Sequence, residues 1–92
     1  MYAPTRTLFM DISEKLGEVR DKHFEGSQKL MWKAWDINPS TLNRWLNRER
    51  VPGPDWYEFL SARLGVSLIE VHEMCIAAQS KRIRKSVRAT VT

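Results

Sequence analysis

The chain has 92 residues, 42% of them hydrophobic, and carries 15 Lys and Arg against 11 Asp and Glu for a net charge of +4. A chain this short buries only about 60 to 65% of its unfolded surface, which excludes a second independent core. No apolar run approaches the roughly 18 residues that span a bilayer, and Met1 to Arg6 leads into an acid-containing amphipathic segment instead of a secretory leader. The single cysteine, Cys75, has no partner for an intramolecular disulfide and sits in a helical apolar pattern, as a buried thiol in a reducing cytoplasm would.

In chain order, Leu8, Ile12, Leu16 and Val19 recur at spacings of four, four and three, which predicts a first helix from about Thr7 to Lys22 with Asp11, Glu14, Lys15, Glu18 and Arg20 facing water. Gly26 permits a left-handed linker and Ser27 offers an N-cap oxygen to a second helix, whose inner face is Leu30, Met31, Ala34 and Trp35. Asp36 to Asn38 reads as a tight turn: Asp tolerates positive φ, Asn38 can cap, and Pro39 suits the first helical position, where no amide donor is needed. A third helix then runs from Pro39 to about Asn47. Its Leu42, Trp45 and Leu46 form an i, i+3, i+4 apolar face and leave Ser40, Thr41, Asn43, Arg44 and Asn47 outside. The loop over 48–54 holds Pro52, Gly53 and Pro54 and cannot continue a helix. A fourth helix carries Trp56, Phe59, Leu60 and Leu64 and closes at Gly65. Ser67 and Glu70 make a capping box for a fifth, with Leu68, Val71 and Cys75 pointing inward. The expectation is all-α, five helices: a domain over 1–80 and a basic tail or helix extension over 81–92.

Charge is segregated along this order. Residues 1–26 hold four basic and five acidic side chains, 27–50 five and two, 51–80 one and four, and 81–92 five and none, so the segment charges are −1, +3, −3 and +5. All excess positive charge thus falls on the second and third helices and on the tail, the gathering that a polyanion-binding face requires. Two short helices joined by a tight turn, the second with a polar outer face, are what a helix-turn-helix needs to enter the major groove of DNA. Trp35, Trp45 and Trp56 fall on apolar stripes and read as core. Trp32 lies off the stripe and reads as a partly exposed anchor for a protein partner. In the tail, Ile69, Ile76, Ile83 and Val87 recur at seven, seven and four, a seam compatible with a helix pair, while Lys81, Arg82, Arg84, Lys85 and Arg88 can meet a DNA backbone. His23 and His72 each stand without neighbours at metal spacing and no Ser has a nucleophile-elbow context, so neither an enzyme nor a metal or other cofactor is expected.

Ser27-Gln28, Ile37-Asn38, Ser40-Thr41-Leu42, Arg44-Trp45-Leu46-Asn47, Pro52 and Leu64-Gly65-Val66-Ser67 with Glu70 resemble, in order, the Cro and phage-repressor (Xre-like) helix-turn-helix domains, over roughly Leu8 to Val71. The chain departs from that pattern at Trp32, where a small residue is usual, and at Asp36 and Arg48, where glycine is usual. The resemblance implies a five-helix lambda repressor-like bundle, often a homodimer, that binds palindromic operators and controls transcription. It places Pro39, Ser40, Thr41, Asn43 and Arg44 against base edges. Of these Arg44 has the planar fork that pairs with guanine O6 and N7, and Asn43 can address adenine or phosphate. Gln28 and Lys29 at the start of the second helix, and Asn47, Arg48 and Arg50 beyond the third, fall at the DNA backbone. The function so implied is a cytoplasmic, nucleoid-associated regulator of double-stranded DNA, with no membrane partner, of repressor type and of phage or mobile-element kind. Two other classes fit the same residues: a protein-interaction module of antitoxin-like or anti-repressor type using Trp32, Trp56 and Tyr57, and a nucleoid-type binder without sequence preference that relies on the tail.

Overall fold

Asp11 caps the first helix of the described residues, and its chemistry fixes where that helix starts. The structure, a computed structural model, describes residues 10–91 and, among them, side chains up to Lys81. The expected start at Thr7 lies outside these residues, but Asp11 has extended backbone (φ −87°, ψ 174°) and caps α1 (Ile12–His23). Its carboxylate accepts from the Glu14 amide at 2.8 Å while the Glu14 carboxylate accepts from the Asp11 amide at 3.0 Å, a reciprocal capping box. Four further helices follow: α2 (Gln28–Trp35), α3 (Pro39–Leu46), α4 (Tyr57–Leu64), entered through a 3-10 turn at Pro54–Trp56, and α5 (Leu68–Val91). No strand occurs among the described residues, and no helix there is long and apolar enough to cross a membrane.

The ends of these helices follow their local chemistry. Ser27 Oγ accepts from the Leu30 amide, Asn38 Oδ1 accepts from the Ser40 amide at 2.8 Å, and Ser67 and Glu70 close the expected capping box on α5. Gly65 caps α4 in the left-handed region at φ 70°, which a glycine adopts without a Cβ clash.

The core is one cluster. Ile12, Leu16 and Val19 of α1, Met31 and Trp35 of α2, Leu42 and Trp45 of α3, Leu60 and Leu64 of α4, and Val71, Met74, Cys75 and Ala78 of α5 are all buried in it. Through it runs a chain of perpendicular rings, Phe24 to Trp35 to Phe59 to Trp56 to Trp45, with centroids 6.3, 5.9, 5.5 and 4.9 Å apart. Each such edge-to-face pair contributes about 0.5–1.5 kcal/mol beyond its burial.

Three expectations are corrected. Leu30 and Ala34 are exposed, because the inward edge of α2 is set by Met31 and Trp35, four residues apart, and each expected neighbour lies about 100° round the helix from that edge. Leu68, the first residue of α5, is also exposed, and the inward row runs Val71, Met74, Cys75 and Ala78. Asp11, expected in water, has no exposed surface at all. Trp32 is partly exposed, as expected, and its buried part packs against the core.

Candidate nucleic-acid interface

The α2–α3 corner is built from the residues the turn chemistry requires. Asp36 adopts left-handed backbone (φ 55°), its amide donates to the Lys33 and Trp32 carbonyls, and the Ile37 amide donates to the Trp32 carbonyl at 3.2 Å, which ends α2 in a Schellman-type cap. Buried Ile37 seals the corner from beneath. Asn38 then caps α3, with Pro39 in its first turn.

On α3 the two faces separate cleanly. Leu42 and Trp45 are buried, Leu46 is half-buried, and Pro39, Ser40, Asn43, Arg44 and Asn47 are exposed with Thr41 half-exposed beside them. Asn43 is the centre of a polar row: its Oδ1 accepts from Gln28 Nε2 and from Asn47 Nδ2, both at 3.2 Å. That arrangement fixes the side chain across the two helices and turns its amide NH2 outward as a donor. Adenine recognition through paired amide O and N needs that oxygen free, so the outward NH2 suits a phosphate or a base acceptor.

Arg44 and Arg50 are exposed, and among the described residues neither has an ion-pair partner; Glu49 does not pair with Arg44. Between them lies an open cleft of about 220 Å3 lined by Thr41, Trp45, Val51, Pro52, Gly53 and Trp56 as well as the two arginines. Lys29 is exposed at the start of α2.

Arg48 and Lys81 behave differently, because both are engaged within the chain. Arg48 donates from Nε to Asp11 Oδ2 at 2.8 Å and its Nη2 lies 2.7 Å from the same oxygen, while Lys81 Nζ stands 3.0 Å from Asp11 Oδ2 and 3.3 Å from Glu14 Oε1. Burial raises the pKa of the Asp11 carboxyl, but the Glu14 amide, Lys81 and Arg48 more than offset it and hold it below the ordinary aspartate value. The hydrogen bond to Asp11 raises the Lys81 pKa in turn. Arg48 also has left-handed backbone at φ 60°. Arg82, Arg84, Lys85 and Arg88, with Ile83 and Val87, have side chains outside the described residues.

The Asp11 network was not read from the sequence, although the spacing of Asp11 and Glu14 carries a capping-box signal that could have shown the helix start. Its cationic partners lie 37 and 70 positions along the chain and leave no local signature. The cleft was missed for the same reason. Among the described residues no three His, Cys, Asp or Glu side chains gather as a metal site.

No protein-family model matches this chain, and neither a curated protein nor a solved structure does.

Proposed function

We propose that this chain is a sequence-specific, double-stranded DNA-binding transcriptional regulator of repressor type, with an Xre/Cro-like helix-turn-helix that places α3 in the major groove and excludes polymerase from the site. The observation that carries the reading is the outer face of α3: Arg44 projects into solvent without a carboxylate partner, on a helix whose other face is locked into the core. Arg50 and Lys29 flank it with further positive charge, and Gln28, Asn43 and Asn47 add amide donors suited to phosphate. A second support lies in the backbone. Asp36 and Arg48, the two positions at which the resembling family usually has glycine, both adopt positive φ, the conformation that favours glycine.

A short domain gains specificity by doubling its contacts, so the chain acts as a homodimer on an inverted repeat with half-sites about 34 Å apart. Ile69 and Ile76, 71% and 52% exposed and two turns apart on α5, give an apolar strip for the second copy. The protein-partner reading rests on Trp32, Trp56 and Tyr57, each partly buried against the core, with Tyr57 also hydrogen-bonded to His72 Nδ1 at 3.1 Å.

The test is duplex binding, random against selected sequence, at two salt concentrations, for wild type, Arg44→Ala and a chain ending at Lys81. Stopping there keeps the Lys81 pair with Asp11 while removing four tail cations. Arg44→Ala should cost about 1–3 kcal/mol of discrimination at one base pair, and truncation should weaken all sequences alike and flatten the salt slope by up to about 3.6. Undetectable duplex binding at low salt, or unchanged base preference in Arg44→Ala, overturns the proposal.

A further inference from the structure

The cleft between α3 and the loop that follows it brings together two kinds of surface that a groove reader does not need in one place. Its floor is aromatic: Trp45, 3% exposed, meets half-buried Trp56 at right angles (82°) with ring centroids 4.9 Å apart, so the pair forms a corner with one indole still partly open to the cleft. Its rim is cationic, with Arg44 coming from α3 and Arg50 from the loop, both without carboxylate partners among the described residues. The remaining wall is Val51, buried Pro52, Gly53 and half-exposed Thr41, whose hydroxyl is available as donor or acceptor.

Size and chemistry limit what can sit there. At about 220 Å3 the cleft falls below the roughly 300 Å3 at which pockets for drug-sized ligands begin, so it has room for one ring with a small head group. A guanidinium fork offers paired N–H donors to a planar or tetrahedral oxyanion, and two arginines line this cleft. An exposed ion pair alone is weak in water, and a ring alone gains little in a cleft this open; a ligand bearing both engages floor and rim together.

We propose that this cleft is a binding site for a small aromatic oxyanion, a single planar ring carrying one phosphate or carboxylate group, free in solution. The ring lies against Trp56 and the head group takes Arg44 and Arg50. Because Arg44 is then drawn back from the outer face of α3, occupancy lowers affinity for DNA, making the ligand an effector of the regulator; this last step rests on the DNA-binding reading above, whereas the site itself does not.

Gly53 supplies the test. Its backbone is ordinary extended (φ −83°, ψ 175°) and nothing stands within 4 Å of where a Cβ would be, so a leucine is accommodated without strain at a residue that lines the cleft, where its bulk competes with a ligand for the space. The full chain, without DNA, is titrated with phenyl phosphate while the four indole N–H signals are followed by NMR, the Trp56 signal being assigned with Trp56→Phe; parallel arms use inorganic phosphate, phenol and Gly53→Leu. Phenyl phosphate should move the Trp56 signal with a Kd of about 1 mM, the range in which a ligand of this size binds, and inorganic phosphate and phenol should each bind at least about tenfold more weakly. Gly53→Leu should lose at least about tenfold while its indole signals stay dispersed as in a folded chain. Equal affinity for inorganic and phenyl phosphate, or undiminished binding by Gly53→Leu, overturns the site. Competition against a selected duplex at matched ionic strength then tests the coupling: phenyl phosphate should displace duplex from wild type and not from Gly53→Leu. Ligand binding that leaves duplex affinity unchanged overturns the effector role alone. A chain that binds no duplex refutes the proposed function and leaves the titration to decide the cleft. A Trp56 response to duplex but to no free aryl phosphate identifies the occupant as a nucleotide of DNA and overturns the small-ligand assignment.

Discussion

Removing both cations from Asp11 should destabilise the fold by more than the two single losses together. Asp11 has no exposed surface and receives Arg48 and Lys81 on one carboxylate oxygen at 2.7–3.0 Å, whereas the cations themselves are 35% and 36% exposed. Either cation can therefore rehydrate when its partner is lost, and Arg48→Met or Lys81→Met, which keep the apolar stem, should each cost only about 1 kcal/mol, the upper range for partly solvated pairs. The double variant is another matter. It leaves a buried carboxylate held by the Glu14 amide alone, and an uncompensated buried charge costs about 3–5 kcal/mol. The cycle should thus show a coupling of about 1–3 kcal/mol, read by urea unfolding at pH 7. The pH dependence gives a second measure. In the wild type the Asp11 pKa is lowered, so its contribution is present above the unfolded value near 3.9 and disappears as pH falls through the lower folded value. Lys81 is raised, so its contribution is present below about 10.4 and disappears as pH rises through the higher folded value. The contribution of this pair should be flat between these limits. In the double variant burial is opposed by the Glu14 amide alone, so the Asp11 pKa rises from its wild-type position and the acid limb should move to higher pH. Additive single effects within about 0.5 kcal/mol, or a double variant with the wild-type acid limb, would refute the assignment of Asp11 as a shared buried anchor.

Two further outcomes follow from single residues. Asp36→Gly should raise stability by about 1 kcal/mol, or about 4–8 °C in Tm for a domain of this size: it removes a left-handed conformation costly to L-residues and a carboxylate at the negative end of α2, against the backbone entropy of glycine, and a lower Tm would show that the Asp36 side chain contributes something the structure does not show. Burial pushes the Cys75 thiol up to about 11, so labelling by a disulfide reagent at pH 8 should proceed only as fast as the chain opens; rapid labelling of the folded protein would contradict the buried position.

What could be read from the sequence was what neighbours three or four residues apart determine. The stripe of α1 from Ile12 to Val19, the stripes of α3 and α4, the caps at Ser27, Asn38 and Ser67, the left-handed Asp36 and the Gly65 stop are local, and each lies where composition and spacing put it. Misplaced residues were those whose surroundings come from elsewhere in the chain. Leu30 and Leu68 fit an apolar pattern yet face water, because the neighbouring helices meet the adjacent row instead. Asp11 looked like any charge on a solvated face until Arg48, from beyond α3, and Lys81, from α5, closed over it. Of the candidate site, the outward residues of α3 were legible from periodicity. The withdrawal of Arg48 and Lys81 into the fold, and the cleft beneath Arg44, depend on tertiary packing that periodicity does not encode.

The same long-range contacts explain how so short a helix can present a fixed face. Eight residues are too few for α3 to be stable alone, so its orientation is set entirely by what holds it. Leu42 enters the core, Trp45 stands against Trp56 at the end of the ring chain, and the Trp45 carbonyl accepts a hydrogen bond from the buried Ser13 hydroxyl of α1. Just past its C-terminus, Arg48 is tied to Asp11, again on α1. Arg48 has left-handed backbone in the turn that ends α3, where the Glu49 amide donates to the Arg44 carbonyl at 2.8 Å, and its ion pair with a buried carboxylate offsets the backbone cost of an arginine at a position that favours glycine. α1 therefore serves as the brace for α3. Since Asn43 is held by Gln28 on the opposite side, Arg44 projects from a base fixed on α1, α2 and the aromatic floor. Its own side chain is exposed and has no ion-pair partner among the described residues, which is what a group that chooses between a base edge and an anion in the adjoining cleft requires.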